Sequence, residues 1–108
     1  MTVAGALINV PERAKRGDII EIKTLISHPM ETGYRRSQTG ARVSRDIIRL
    51  FVCTYNGAEV FRAELYPAIA ANPFLVFSTI ATESGTLAFH WTGDSGFAVT
   101  ESAAIVVE

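Results

Sequence analysis

A single cysteine, two histidines and no apolar run approaching the ~18 residues of a membrane helix leave this 108-residue chain short of the features that most often announce a function. The lone thiol, Cys53, closes no disulfide within the chain and excludes the paired-cysteine spacings of structural zinc. No Gly-x-Ser-x-Gly elbow, phosphate loop or diagnostically spaced carboxylate pair occurs either, so nucleophilic hydrolysis, phosphoryl transfer and two-carboxylate acid–base chemistry have no motif to rest on. An excess of one charge is missing too. The formal net charge is -1 and the pI about 6.1, whereas nucleic-acid-binding domains usually exceed ~9. The N-terminal residues Met1 to Leu7 place no basic group ahead of an apolar segment, so the chain brings no secretory signal of its own and, taken alone, is expected in the cytoplasm.

What is present is apolar bulk and uneven charge. Apolar residues make up 48% of the chain, including six Phe, three Tyr and one Trp. That is enough for one packed domain over residues 1–108, and the length is too short for two. Up to Leu50 there are nine basic residues against five acidic; from Phe51 onward Arg62 alone faces six acids. Arg35, Arg36, Arg42, Arg45 and Arg49 crowd one segment in which Asp46 is the sole acid, a pattern suited to an anionic ligand or an acidic partner.

The periodicity is that of strands. From Asp18 to Ile26, Ile20, Ile22 and Ile26 share one face while Glu21 and Lys23 share the other, and only a period of two does that. Ile47–Tyr55 and Ala58–Leu65 are rich in branched and aromatic residues and are joined by Asn56-Gly57, two residues that tolerate the positive φ of a tight hairpin. Further strands are predicted at Phe74–Ala81, Thr86–Thr92 and Phe97–Val107, divided by Glu83-Ser84-Gly85 and Gly93-Asp94-Ser95-Gly96. The stretch from His28 to Asp46 reads as a long excursion, and Tyr66–Pro73 has room for one helical turn. Short strands at this spacing predict an all-β fold, an immunoglobulin-like antiparallel β-sandwich.

Several strands are apolar on both faces. Leu87, Phe89 and Trp91 alternate with polar residues and belong in a core, but Leu50 and Val52 oppose Phe51, Cys53 and Tyr55, and Phe74, Val76 and Ile80 oppose Leu75 and Phe77. A sheet with apolar residues left on its second face calls for a second covering, most economically another protein chain. Copper is the competing chemistry: His28, Met30, Cys53 and His90 form a soft donor set, which would make the chain a solitary ligand- or copper-binding sandwich. Against it, Cys53 sits in the middle of a strand with no His or Met close by, as expected of a small buried hydrophobe, and a mid-strand thiol cannot swing between sites. From the residues alone this is a binding module, with no catalytic, cofactor-binding or metal-binding residue assigned.

One segment is more specific. The run Ile26-Ser27-His28-Pro29-Met30-Glu31-Thr32-Gly33-Tyr34-Arg35-Arg36, followed by Ile47-Ile48, Phe51, Asn56-Gly57, Ala71-Asn72-Pro73-Phe74, Ser84-Gly85 and Trp91, closely resembles the SoxZ family of the bacterial thiosulfate-oxidising system. It departs from the family pattern at Ser37-Gln38 and at Val43-Ser44-Arg45. The resemblance implies a non-catalytic scaffold in a heterodimer with SoxY, the subunit whose C-terminal cysteine arm holds sulfur intermediates, with transient contact to other Sox enzymes. Here the C-terminus, Ala103 to Glu108, is strand-like and carries no such arm. The family also implies the periplasm, reached by export together with the partner's signal. The candidate partner contacts are His28, Met30, Glu31, Arg35, Arg36 and Asn72 in the loops and Phe51, Tyr55, Phe74 and Phe77 on the strands. No cofactor is expected, and without its partner the chain is expected to hide its apolar face, as a homodimer for example.

Overall fold

The computed structural model describes residues 5–108. Eight strands succeed one another: β1 Leu7–Asn9, β2 Arg13–Ala14, β3 Ile19–Leu25, β4 Ile48–Tyr55, β5 Ala58–Glu64, β6 Phe74–Ile80, β7 Gly85–Gly93 and β8 Ala98–Val107. They form a three-stranded sheet, β1-β3-β6, and a five-stranded sheet, β2-β8-β7-β4-β5. This is the expected all-β, immunoglobulin-like sandwich, with one local exception to antiparallel pairing: β2 runs parallel to β8. The short strands β1 and β2 are additions to the sequence reading. Pro11 interrupts the N-terminal segment between them, so the chain leaves one sheet and joins the other, closing that side of the sandwich.

Alternation decides what lies between the sheets. β3 turns Ile20, Ile22 and Thr24 inward, β4 turns Phe51, Cys53 and Tyr55 inward, and β7 turns Leu87, Phe89 and Trp91 inward; all are buried. Phe51 is the hub, its ring centroid 5.2 Å from Trp91, 5.8 Å from Phe77 and 6.1 Å from Phe61. Phe61 of β5 stacks on Phe77 of β6 at 4.3 Å and 7°, which closes the other side of the sandwich, where both sheets end. Each fully buried side chain of this size contributes about 1.5–3 kcal/mol relative to leaving it in water.

The turns match their residues. Asn56 and Gly57 have φ of 48° and 84°, so the β4–β5 hairpin takes the left-handed backbone its sequence announces. The Asn56 side chain then caps the next turn, accepting the Thr86 N–H at 2.9 Å, and it lies where a Cβ on Gly85 would stand, 1.8 Å from the Asn56 Oδ1. Between Tyr66 and Pro73 the chain makes turns, with the Ile69 N–H donating to the Tyr66 carbonyl, and among the described residues the one 3₁₀ turn falls at Asp94–Gly96 instead.

Candidate partner-binding surface

On the three-stranded sheet the register sets the outer face row by row, apolar at both ends and mixed between them. Leu7 stands opposite Leu25 and Leu25 opposite Phe74; next come Asn9, Lys23 and Val76, then Glu21 and Ser78, then Ile19 and Ile80. Leu7 is 63% exposed, Ile19 76%, Phe74 58%, and Val76 and Ile80 about half. Three strands about 4.8 Å apart and up to seven residues of about 3.4 Å make a sheet face of a few hundred Å², on which apolar residues at both ends flank a polar band of Asn9, Lys23, Glu21 and Ser78. A small groove among Leu7, Ile8, Lys23, Leu25 and Phe74 marks its upper corner.

Phe74 is therefore where the expected partner face places it, on the surface. Phe51, Tyr55 and Phe77 are not: they are 0%, 6% and 7% exposed and belong to the core, because β4 and β6 present their alternate residues outward. On β4 the outward set is Leu50, Val52 and Thr54, all half-buried and none aromatic. Their lateral neighbours explain this. Val52 lies between Arg62 of β5 and His90 of β7, and Leu50 between Glu64 and Thr92, so polar neighbours, long ones on the β5 side, flank what looked on the sequence like a second apolar face and leave it half-buried. The need for an outside covering is thus confined to the smaller sheet. Tyr55 instead ties the core to a turn. Its hydroxyl donates to the Glu83 carbonyl and accepts the Thr82 and Glu83 N–H groups, pinning the β6–β7 connection.

His28 and Met30 are also interior, 4% exposed each, and tie loops together. The His28 Nδ1 accepts the Met30 N–H at 2.9 Å, which puts the proton of the neutral ring on Nε2, 3.7 Å from the Asp46 Oδ1. The Phe97 ring meets the imidazole edge-on at 4.8 Å. The Met30 Sδ accepts the Ile48 N–H at 3.3 Å, and Met30 itself has φ 51°. Asn72 is exposed but fixed: its Oδ1 accepts the His28 N–H at 2.9 Å and its own N–H donates to the His28 carbonyl at 2.7 Å, continuing the β3–β6 ladder beyond Phe74. The Ser-His-Pro-Met and Ala-Asn-Pro-Phe segments are two halves of one knot.

That knot consumes the copper donors. Nδ1 and Sδ each hold a backbone N–H, His90 faces outward on β7 with Thr100 at 3.2 Å, and Cys53 faces inward on the neighbouring strand. Among the described residues no three of His, Cys, Asp and Glu gather as a metal site. Burial pushes the Cys53 thiol up to about 12, the opposite of an activated thiolate.

Glu31, Arg35 and Arg36 lie on the excursion between β3 and β4. The Glu31 carboxylate is half-buried and is held by Arg35 at 2.7 Å, and that guanidinium lowers the Glu31 pKa while its own rises. Arg45 makes a two-pronged bond with Asp94 at 2.8 and 3.0 Å, and Asp94 also takes the Ile47 N–H; the Arg45 hydrogen bond keeps the Asp94 carboxyl below its ordinary range. The sequence reading missed Asp94, whose partner is 49 positions away. Leu7 and Ile19 were missed as well, though an apolar residue just outside each polar turn was the available signal.

The family description "Sulphur oxidation protein SoxZ" matches residues 8–104. The chain belongs to the SoxZ family. No curated protein matches its sequence significantly. Among solved structures it is similar to superoxide reductase (neelaredoxin) from Ignicoccus hospitalis, with TM-score 0.74 at 19% identity, covering 95% of this chain and 80% of that one. A putative superoxide reductase from Thermotoga maritima has TM-score 0.73 at 19% identity, over 95% and 85% of the two chains. The sulfur carrier protein SoxY from Chlorobium limicola f thiosulfatophilum has TM-score 0.66 at 14% identity, over 99% and 81%. At these identities the shared property is the fold, and the SoxZ membership alone speaks to the system in which the chain works.

Proposed function

We propose that this chain is the non-catalytic scaffold of a SoxYZ carrier complex, seating a SoxY-type sulfur carrier subunit on the outer face of its three-stranded sheet during bacterial thiosulfate oxidation. The observation that carries this reading is the exposed apolar face from Leu7 and Leu25 through Phe74 and Val76 to Ile19 and Ile80, in a chain of the SoxZ family. Burying it removes several large side chains from water, and Glu21 and Lys23 on the central strand cross its middle as polar groups that a partner would meet with hydrogen bonds or opposite charge. A scaffold role also agrees with what the interior does: His28, Met30 and Cys53 are occupied with packing and backbone bonds, and a carrier's reactive sulfur would come from the partner. The complex works in the periplasm, reached through the partner's export signal.

Coexpression with the SoxY subunit of the same organism and light-scattering mass measurement test this. The expected product is an equimolar heterodimer that forms with the wild type and is lost with Phe74→Ala and Val76→Ser combined. A pair that fails to associate, or that associates equally well with the doubly substituted face, overturns the reading.

A further inference from the structure

Between Glu31 and Asp46 the chain forms a two-stranded ribbon. Glu31 and Asp46 exchange backbone hydrogen bonds at 2.8 Å each; Val43 then donates to Arg35 at 2.9 Å and Ser37 to Ala41 at 2.8 Å, and the tip closes with Gly40 donating to Ser37. Arg36 and Arg42 are the directly opposed pair between those last two rungs. A pair in that position exchanges no bonds of its own, so its side chains leave one face of the ribbon with Cβ atoms about 5 Å apart. Two like charges so placed repel.

No carboxylate among the described residues relieves that repulsion. Glu31 is engaged by Arg35, Asp94 by Arg45, and Asp46 faces His28; Arg36 reaches only the Gly40 carbonyl, at 3.0 Å. None of residues 34–43 is buried, and Tyr34 is 80% exposed beside the pair. An isolated two-stranded ribbon is marginal in water. Among the described residues its side-chain ties to the rest of the fold lie at its base, in the Met30–Ile48 and Arg45–Asp94 bonds.

From this we infer that the ribbon is a docking arm: Arg36 and Arg42 grip a carboxylate-rich segment of a second protein, with Tyr34 packing beside it. Charge selects that occupant. The ribbon holds four arginines against two acids, while the rest of the chain has six basic residues against nine acidic, so a long polyanion such as a nucleic acid meets net negative charge beyond the ribbon. A short acidic segment meets only the ribbon. The docking arm is separate from the sheet face around Phe74, and either can fail without the other.

The test is an NMR titration of the isotope-labelled full-length chain with a synthetic peptide of alternating Asp and Glu, with inorganic sulfate and a single-stranded oligothymidylate run in parallel. The expected result is peptide-induced shifts confined to Tyr34–Val43, weakening roughly tenfold as salt rises tenfold because the charges are exposed. R36Q/R42Q loses at least about tenfold in affinity and melts no lower than the wild type, whereas R36K/R42K keeps most of the binding. The single variants R36Q and R42Q carry the same comparison should the double variant lose its fold. Phe74→Ala leaves the response intact. Unchanged affinity in R36Q/R42Q, shifts centred elsewhere, or tighter binding of sulfate or oligothymidylate than of the peptide each overturns the proposal.

Discussion

On the outer face of the five-stranded sheet, β7 and β8 present Thr86, His90, Thr92, Thr100 and Ser102 together with the exposed Val106, and β4 shows Leu50 and Val52 half-buried between polar neighbours. The outer face of the three-stranded sheet presents Leu7, Ile19, Phe74, Val76 and Ile80, with Glu21, Lys23 and Ser78 between its two apolar ends. Both β4 and β6 read as apolar on two faces, so residue type does not separate them. Position in the sheet does. β4 is an inner strand whose flanks, β5 and β7, lay Arg62 and His90 over Val52. β6 is an edge strand with β3 as its one neighbour, and the side chains beside Phe74 and Ile80 are Leu25 and Ile19, which add apolar surface, while Val76 has Lys23 on one side alone. An apolar outer residue is therefore informative about partners only when its lateral neighbours leave it bare.

Two phenylalanines sharpen the contrast. Phe51→Ala empties the centre of the aromatic cluster and is expected to cost about 3–5 kcal/mol of folding stability, read as a large drop in urea midpoint, with partner affinity affected only through the folded fraction. Phe74→Ala is expected to do the reverse: folding within about 0.5 kcal/mol of the wild type, and about 2 kcal/mol lost from binding of the partner subunit by calorimetry. Equal stability losses at the two sites would erase the distinction between the inner and outer faces.

Smaller effects probe the interior against its polar exceptions. The Thr24 Oγ1 is buried and has no hydrogen-bond partner among the described residues, so Thr24→Val should raise stability by about 1 kcal/mol, measured as a higher denaturation midpoint; a loss there would show that the hydroxyl is satisfied. Cys53 gives the mildest effect, and one that depends on pH. Its folded pKa, about 12, lies above the ordinary thiol value of 9.0, so below pH 9.0 both states keep the proton and nothing is lost. As pH rises from 9.0 toward 12 the unfolded chain gives up the proton more readily, and stability falls. Cys53→Ala should flatten that alkaline decline, and native Cys53 should resist thiol reagents at neutral pH. An identical decline in the variant would assign the effect to other groups.

Much of the fold was legible because it rests on local signals. The alternation of Ile20 and Ile22 with Glu21 and Lys23, the Asn56-Gly57 turn and the Leu87-Phe89-Trp91 stripe each state a period or a backbone preference within a few residues, and each appears in the structure as read. The candidate contacts were legible only in part. Phe74 and the ribbon arginines are exposed, whereas Phe51, Tyr55 and Phe77 are core, since the pleat shows two alternate faces and gives no sign of which one the second sheet will cover.

By itself, then, the amino-acid sequence determined the strands, the tight hairpin, the aromatic content of the core and, through the His28-Pro29-Met30 and Asn72-Pro73-Phe74 segments, the SoxZ family. Only the tertiary structure decided that those two segments are one hydrogen-bonded knot, that Asp94 anchors Arg45, that Arg36 opposes Arg42, and that one sheet's outer face is covered while the other's is bare. The physical reason is range. Dihedral preference and side-chain period act between near neighbours along the chain, but coverage, charge pairing and register join residues tens of positions apart, and these are settled only when the sheets close on each other.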